Sequence, residues 1–443
     1  MKNPLLEMVE KRKAGIHCGI PSFCCANKLV IEAILDQAKR FDDTVLIEAT
    51  SNQVNQNLGY TGMAPSDFRD FVYQIADQIH FPRSQVILGG DHMGPLPWAE
   101  LPAVQAMENA EVLVRACVRA GYKKIHLDTS MRLGDDSVEK PLADSTIAER
   151  GAVLYRACED EFKKMQAEDP SEMHPVYVLG SEVPIPGGAQ EEGDTVQITT
   201  PERFEQTLLV YHQKFAELGL SDAWQHIIAM VVQPGVEFGN HEIHHYDRLQ
   251  AYNLCKKLQA YPDIVFEGHS TDFQSPAKLR EMVEDGIAII KVGPALTFAL
   301  REALFVLAHM EEELVPEPRL RSNLIAILDQ EMLEEPKNWK KYYHGSPASI
   351  ALDRKYSFSD RCRYYLASEH VDQAIRRLFD NLSKVHIPLG MLHQYMPFQY
   401  IKVRDQKLRL EAKELAKDSV VSMVEDYNYA VKYNYVTSSI FVR

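Results

Sequence analysis

Eight short apolar runs recur along this chain, and each ends in or beside a polar residue that can take part in chemistry. Segments long enough to form a helix separate the runs. Strands that alternate with helices form a parallel sheet, and eight such units are the number that closes a (β/α)8 barrel. We therefore predict an α/β fold of the TIM-barrel type. The runs cover residues 16–22, 45–48, 86–91, 124–128, 176–182, 227–233, 264–269 and 287–291.

Helical periodicity fills the intervals between these runs and supports the alternation. Thr200 and Pro201 open one helix with a capping hydroxyl and a first-position proline. Gly121 follows the end of another helix, where glycine is a common stop signal. The predicted helices cover residues 29–40, 66–78, 99–120, 144–166, 201–218, 247–260, 276–285 and 294–313.

The chain divides into two predicted parts. Residues 1–313 hold all the strand-like runs and form the barrel with its active-site rim. Residues 314–443 lack such runs and are rich in Tyr, Trp and charged residues, so we predict a mainly helical C-terminal extension. Aromatic and arginine side chains are enriched at interfaces, so the extension is expected to pack on the barrel or on a partner chain. A homo-oligomer is compatible with that composition.

Charge and composition exclude several classes of protein. The formal net charge of −15 argues against a nucleic-acid partner, which would favour a basic surface. No stretch approaches the roughly 18 consecutive apolar residues that a membrane helix needs. The seven cysteines form an odd set without a CxxC pair, which indicates reduced thiols in the cytoplasm.

Chemistry is expected at the C-terminal ends of the strands, where barrel enzymes carry their active sites. Asp91 and His92 end the third run, Glu182 the fifth and His269 the seventh. Two histidines and a carboxylate match a divalent metal site that leaves positions open for substrate. We predict His92, Glu182 and His269 as ligands of a divalent ion (Zn, Mn, Ni or Co). The alternative is that each histidine is a satisfied polar group on a loop.

Proton transfer is assigned to three carboxylates at the same rim: Asp91, Asp128 and Glu182. His126 and Asp128 lie two residues apart, so their side chains share one face of a strand. They are either acid/base and hydrogen-bonding groups or a buried structural pair, and the sequence leaves both readings open.

Substrate contacts are expected from the remaining polar residues of the rim. Carboxylates and amides suit the recognition of sugar hydroxyls. Lys291 could form a Schiff base, but beside a metal site an electrostatic contact or an ion pair is favoured. The predicted substrate-binding residues are Glu48, Asn52, Gln53, His126, Gln233, Asp272 and Lys291.

Nucleotide cofactors have no support in the sequence. No G-x-x-x-x-G-K-[ST] phosphate loop exists, and no G-x-G-x-x-G motif follows a strand. A nucleotide-dependent kinase and a Rossmann dehydrogenase are therefore excluded as predictions.

At these motifs the chain closely resembles the accessory (non-catalytic) subunit family of class II D-tagatose-1,6-bisphosphate aldolase, the GatZ/KbaZ type. Some members of that family are also described as tagatose-6-phosphate kinases. The resemblance implies a ketose sugar or sugar phosphate as ligand and a catalytic class II aldolase subunit as partner. It extends over blocks at 46–53, 60–63, 88–94, 124–128, 182–188, 231–238, 269–272, 291–300 and 388–395.

The family is related to the catalytic class II aldolase subunits, which are metal-dependent barrels. Asp91-His92 and His269 resemble their metal-site residues, whereas Gln233 stands where they have a third metal histidine. Their phosphate-binding turn is replaced here by residues 270–272, ending in Asp272, whose charge would repel a phosphate. Gly293-Pro294 likewise replaces the Asn-Val of their last strand motif.

Two functions follow from this mixture of retained and altered residues. The resemblance implies that the chain is a component of tagatose and ketohexose metabolism that supports a class II tagatose-bisphosphate aldolase. Alternatively, it is a stand-alone metal-dependent 4-epimerase of an unphosphorylated ketohexose, with Glu182 replacing the lost histidine ligand. That reaction would proceed by retro-aldol cleavage between C3 and C4 followed by re-addition.

Overall fold

Eight parallel strands form a closed barrel in the computed structural model, which describes residues 2–180 and 196–432. A short antiparallel ribbon, β7 (Glu237–Phe238) and β8 (Ile243–His244), lies outside the barrel. The barrel strands are β1 (Ile20–Cys24), β2 (Val45–Thr50), β3 (Val86–Met93), β4 (Lys124–Leu127), β5 (Val176–Leu179), β6 (Ile227–Val232), β9 (Val265–Gly268) and β10 (Ile287–Val292). They are hydrogen-bonded in the order β1-β10-β9-β6-β5-β4-β3-β2, and β1 closes the ring by pairing with β2 and β10.

Helices alternate with these strands, which confirms the predicted TIM-barrel fold. The first strand begins later than predicted, because Ile16 is 52% exposed and precedes it. Thr200 caps its helix by accepting a hydrogen bond from the Arg203 N–H at 3.1 Å, as predicted. The helices are α1 (Pro4–Lys13), α2 (Lys28–Phe41), α3 (Pro65–Gln78), α4 (Ala103–Arg119), α5 (Asp144–Glu168), α6 (Pro201–Glu217), α7 (Arg248–Leu258), α8 (Pro276–Glu284) and α9 (Pro294–Leu314).

Helix α1, which the sequence analysis did not predict, covers the N-terminal end of the barrel. Asn3 caps it by accepting from the Leu5 N–H at 3.0 Å. The same side chain donates to the carbonyl oxygens of Lys123 and His174, just before two strands begin. The helix buries Leu5, Met8 and Val9 against a separate apolar cluster inside the barrel. That cluster contains Leu46, Ile87, Val176, Val178, Ile228, Ala229, Val231, Val265, Ala288 and Ile289.

The segment after α9 is mainly helical, as predicted. Its last helix returns to the barrel and packs against α2, α8 and α9. None of the described helices is both long and apolar enough to span a membrane. The helices of this segment are α10 (Leu324–Glu334), α11 (Pro347–Tyr356), α12 (Glu369–Ser383), α13 (Leu389–Tyr395), α14 (Pro397–Arg404) and α15 (Ala412–Val431).

Candidate metal centre and its cavity

Four buried side chains meet at the C-terminal end of the barrel. Asp91 and His92 lie near the end of β3, His126 lies in β4, and His269 directly follows β9. One potential ligand atom from each lies within 4.8 Å of those from the other three. The three imidazole centroids form a triangle with sides of 5.1, 4.8 and 5.1 Å. We call these four residues the histidine cluster.

Each imidazole of the histidine cluster is oriented by a partner at one ring nitrogen. His92 Nδ1 lies 2.7 Å from Asp128 Oδ2, and His269 Nε2 lies 2.9 Å from Glu267 Oε1. His126 Nδ1 lies 3.2 Å from the backbone nitrogen of His92, which donates to it. For His92 and His269 the carboxylate partner fixes the ring orientation and leaves the other nitrogen free to bind a ligand. His126 Nδ1 also lies 3.2 Å from Asp91 Oδ1.

The pKa values within the cluster are set by burial and by neighbouring charges. Burial lowers the pKa of His269 to about 4, so this imidazole is neutral at physiological pH. Burial also opposes protonation of His92, but Asp91 and Asp128 outweigh it and raise the pKa of His92. Burial disfavours the ionised carboxyl of Asp91, yet His92 and Lys291 outweigh that effect and hold its pKa well below the usual range.

A buried network of charges lies beside the cluster. Lys124 Nζ lies 2.9 Å from Glu48 Oε1 and 2.7 Å from Glu267 Oε2, and all three side chains are fully buried. Lys291 pairs with Glu48 and lies 3.0 Å from Asp91 Oδ1. Buried charges are stable only when they are paired, so these residues depend on one another.

The backbone leaves room for this network. A side chain at Gly89 would place its Cβ 2.5 Å from Glu48 Oε1, so only glycine fits beside that carboxylate. His92 and Ser270 adopt left-handed φ angles of 48° and 52°. That conformation is costly for residues with a side chain and is often found at functional sites.

A divalent cation fits the histidine cluster. The Nε2 atom of His126 is buried and has no hydrogen-bond partner among the described residues. Three imidazoles and a carboxylate are the donor set that transition metals such as zinc prefer. Four buried carboxylates surround two lysines here, so the site holds an excess of negative charge that a dication would balance. The carboxylates are Glu48, Asp91, Asp128 and Glu267, and the lysines are Lys124 and Lys291.

The cluster opens into a cavity of about 1150 Å³. Asp91, His92, His269 and Lys291 line this cavity, so a ligand within it can contact them. A cavity of this size accommodates a small sugar or sugar phosphate. Asn52 and Gln53 also line it, which places two of the predicted hydroxyl-binding side chains next to the site.

Three predicted site residues make contacts within the protein. The Gln233 side-chain oxygen accepts from the backbone N–H groups of Gly235 and Val236, which fixes a turn. Glu48 is fully buried between two lysines and does not line the cavity. Asp272 lines the cavity, but its Oδ1 accepts from the N–H groups at the start of α9.

His126 was predicted as a substrate contact, but it belongs to the histidine cluster. The buried charges Lys124 and Glu267 were not predicted. Each lies two positions before a cluster histidine on the same strand face, a spacing that could have revealed them. Glu182, the predicted carboxylate ligand, lies outside the described residues.

The fold and the site define a (β/α)8 barrel protein with a candidate metal centre at the C-terminal ends of its strands. Residues 5–432 match the family described as D-tagatose-1,6-bisphosphate aldolase subunit GatZ/KbaZ-like. The chain belongs to this family, which confirms the predicted resemblance.

Three solved structures are similar to this chain to different degrees. A crystal structure described as "a probable tagatose 6 phosphate kinase" from Sinorhizobium meliloti 1021 is 44% identical, with a TM-score of 0.85, and the match covers 94% of this chain and 100% of that one. The YdjI aldolase from Escherichia coli K12 is 12% identical, with a TM-score of 0.41, over 87% of this chain and 100% of that one. Fructose-bisphosphate aldolase from Campylobacter jejuni is 14% identical, with a TM-score of 0.41, over 86% and 94%. The last two similarities are too low to carry an argument.

Proposed function

We propose that this chain binds a divalent metal ion at Asp91, His92, His126 and His269 and holds a ketose in the adjoining cavity. Membership of the GatZ/KbaZ-like family gives the chain an aldolase-associated role in tagatose metabolism. The observation that carries the proposal is the meeting of three buried imidazoles and a carboxylate at the cavity wall. We also propose Glu182 as a further metal ligand or proton-transfer group. Metal analysis of the purified chain identifies the ion (Zn, Mn, Ni or Co).

The chemistry at this site divides between the ion and the protein. Held by Asp91, His92, His126 and His269, a divalent ion would supply Lewis-acid polarisation of a ketose carbonyl, which favours cleavage between C3 and C4. Asp91 lines the cavity as an ionised carboxylate, and we assign one of its oxygen atoms to the ion and the other to proton transfer. Asp128 does not line the cavity and instead holds the His92 ring, so we assign it a positioning role.

Lys291 acts in this proposal as a fixed positive charge. Burial alone would lower its pKa, but Asp91 and Glu48 outweigh this and raise the pKa well above its ordinary value. A protonated amine cannot attack a carbonyl, so a Schiff base at this lysine is not favoured. Its ammonium group can contact oxygen atoms of the sugar, while Asn52 and Gln53 contact hydroxyl groups. Glu48 holds Lys291 by an ion pair, Gln233 fixes the turn that follows β6, and Asp272 contributes a carboxylate to the cavity.

The partner and the assembly are further parts of the proposal. We propose that a catalytic class II aldolase subunit associates with this chain and that the ligand is a ketose or its phosphate. We also propose that the chain divides into a barrel, residues 1–313, and an extension, residues 314–443. A homo-oligomer and a cytoplasmic location remain predictions.

A stand-alone 4-epimerase would use the same buried residues, but the family match does not favour it. The two functions differ in what the isolated chain does. An epimerase converts a free ketohexose into its C4 epimer without any other protein, whereas an aldolase component increases cleavage by its catalytic partner.

The experiment combines metal analysis with two activity assays. The purified chain is loaded with Zn²⁺, Mn²⁺, Ni²⁺ or Co²⁺, and its metal content is measured by mass spectrometry. Cleavage of tagatose 1,6-bisphosphate by a class II catalytic subunit is then measured with and without the chain. We expect bound metal and faster cleavage, and we expect both to be lost in His126→Gln.

The matched control is His370→Gln, because His370 is 72% exposed, pairs with Glu331 and does not line the cavity. This variant should keep the metal and the stimulation. A wild-type chain without metal, or a His126→Gln variant that stimulates fully, would overturn the proposal. Formation of a C4 epimer from free tagatose by the isolated chain would establish the epimerase instead.

A further inference from the structure

The N-terminal end of α9 borders the cavity but is poorly suited to bind an anion. Backbone N–H groups at the start of a helix commonly bind phosphate. In this chain the N–H groups of Gly293 and Ala295 donate to Asp272 Oδ1 at 3.0 and 2.8 Å. Pro294, which lies between them, has no N–H group. A phosphorylated ligand in this cavity therefore needs a different source of positive charge.

Arg363 lines the same cavity and comes from the C-terminal extension rather than from the barrel. Its Nη1 donates to the carbonyl oxygens of Ser359 and Asp360, and its Nη2 donates to the Tyr364 hydroxyl at 2.9 Å. A guanidinium has five N–H donors, so two remain, as many as a bidentate contact to a phosphate requires. Within the described part of the chain, no carboxylate forms an ion pair with this guanidinium.

The other cations around the cavity are less suitable. Lys291 is paired with Glu48 and Asp91, Arg376 with Asp372, and Lys413 with Glu32. Lys28 lies 4.0 Å from Glu32, and Lys341 is exposed at the surface. Arg363 thus combines a cavity position, partial burial and a charge that no described carboxylate balances by a direct ion pair.

Aromatic side chains hold the arginine in place. The Arg363 guanidinium carbon lies 4.4 Å from the centroid of the Tyr364 ring, within the range of a cation–π contact. Tyr60, from the barrel, packs edge-on against Tyr364 at a centroid distance of 4.8 Å. The guanidinium is therefore attached to the rim of the barrel through this ring pair, and little ordering remains to be done when a ligand binds.

We propose that Arg363 binds a phosphate group of the ketose in this cavity, so that the C-terminal extension supplies the selectivity for a phosphorylated sugar. This inference rests on the proposed ketose site and adds the class of ligand to it. The positive charge of Arg363 also offsets the repulsion that Asp272 exerts on an anion in the same cavity.

The test compares two probes that differ only in their phosphates. One is the hexitol 1,6-bisphosphate made by reducing tagatose 1,6-bisphosphate, and the other is the corresponding free hexitol. Neither has a carbonyl group, so neither can be cleaved during the measurement. Affinities are measured by titration calorimetry on the full-length, metal-loaded chain, and the metal content of every sample is recorded.

We expect the wild-type chain to bind the bisphosphate more tightly than the hexitol. Arg363→Gln should weaken bisphosphate binding roughly 10- to 100-fold, because charge-assisted hydrogen bonds are lost, and should leave hexitol binding nearly unchanged. Arg363→Lys should recover part of the loss through its charge. Arg376→Gln is the matched control, since Arg376 lines the same cavity but is 77% exposed and paired with Asp372.

Several outcomes would overturn the inference. The wild type could show no preference for the bisphosphate, or Arg363→Gln could leave that preference intact. Equal weakening of both probes would show that Arg363 only supports the structure. The metal content distinguishes failure of this inference from failure of the proposed function. A chain that binds no metal but prefers the bisphosphate through Arg363 would refute the metal site alone. A metal-loaded chain without that preference refutes the phosphate site alone.

Discussion

The two ends of the barrel interior are built from the same strands but serve different purposes. Toward the N-terminal end, Leu46, Val265 and Ile289 belong to the apolar cluster beneath α1. Two residues further along the same strands, on the same face, lie Glu48, Glu267 and Lys291. The first, lower layer excludes water and stabilises the fold, whereas the second, upper layer concentrates charge around the histidine cluster. The charged residues around the candidate site thus begin two positions after the apolar layer on each of these strands.

The largest effect is expected from removing one charge of the upper layer. Lys124→Met leaves Glu48 and Glu267 buried without the lysine that lies within 3 Å of both. Breaking a buried pair in this way costs about 3–5 kcal/mol of unfolding free energy. Urea denaturation measures the loss, and metal content should fall as well. The surface variant Lys340→Met should stay within about 0.5 kcal/mol of the wild type. A fully stable Lys124→Met protein would show that the network is not mutually dependent.

A comparable substitution in the lower layer should affect stability alone. Leu5→Ala removes a fully buried side chain from α1 and leaves a cavity at the N-terminal end of the barrel. Such changes cost about 2–4 kcal/mol. Because α1 covers the N-terminal end of the barrel and the histidine cluster lies at the C-terminal end, metal content at saturating ion should equal that of the wild type. Loss of metal from a folded Leu5→Ala protein would contradict the separation of the two layers.

Within the upper layer, Asp128 tests how far the site depends on the groups that orient it. Asp128→Asn keeps a polar partner for His92 but removes the negative charge at 2.7 Å from its ring. Metal affinity should fall roughly 10- to 100-fold, as is usual for partners of ligating histidines. Competition with a metal chelator measures this change. Glu159→Gln provides the control, because Glu159 pairs with His174 outside the cluster. Equal affinity in Asp128→Asn and the wild type would leave Asp128 without a positioning role.

Periodicity in the sequence was enough to predict most of the strands that form the lower layer and the polar residues at their C-terminal ends. Strand positions follow from local patterns, and polar residues after each run were visible directly, as with Asp91, His92 and His269. Whether the His126 side chain points into the barrel depends on the tilt of the strands in the closed barrel. A local sequence pattern does not predict that tilt. Arg363 could not be predicted at the cavity, because its approach depends on how the C-terminal extension folds back over the rim.

The smallest effect concerns the carboxylate that caps α9. Burial raises the pKa of Asp272 to about 6, although the N–H groups of Ala295 and Gly293 act in the opposite direction. The folded chain therefore holds a proton on Asp272 at pH values where the unfolded chain has released it. The stability contributed by that proton is present at low pH and is lost as the pH rises through about 6.

Asp272→Asn removes this titration while keeping an oxygen that can accept the same hydrogen bonds. Between about pH 5 and about pH 7, the wild type should lose about 1 kcal/mol of stability relative to the variant. Urea denaturation of both proteins at the two pH values measures the difference, and all other titrating groups cancel in the comparison. A stability gap that does not change with pH would mean that Asp272 is ionised throughout this range. In that case its charge, and with it the need for a compensating cation such as Arg363, would be constant under physiological conditions.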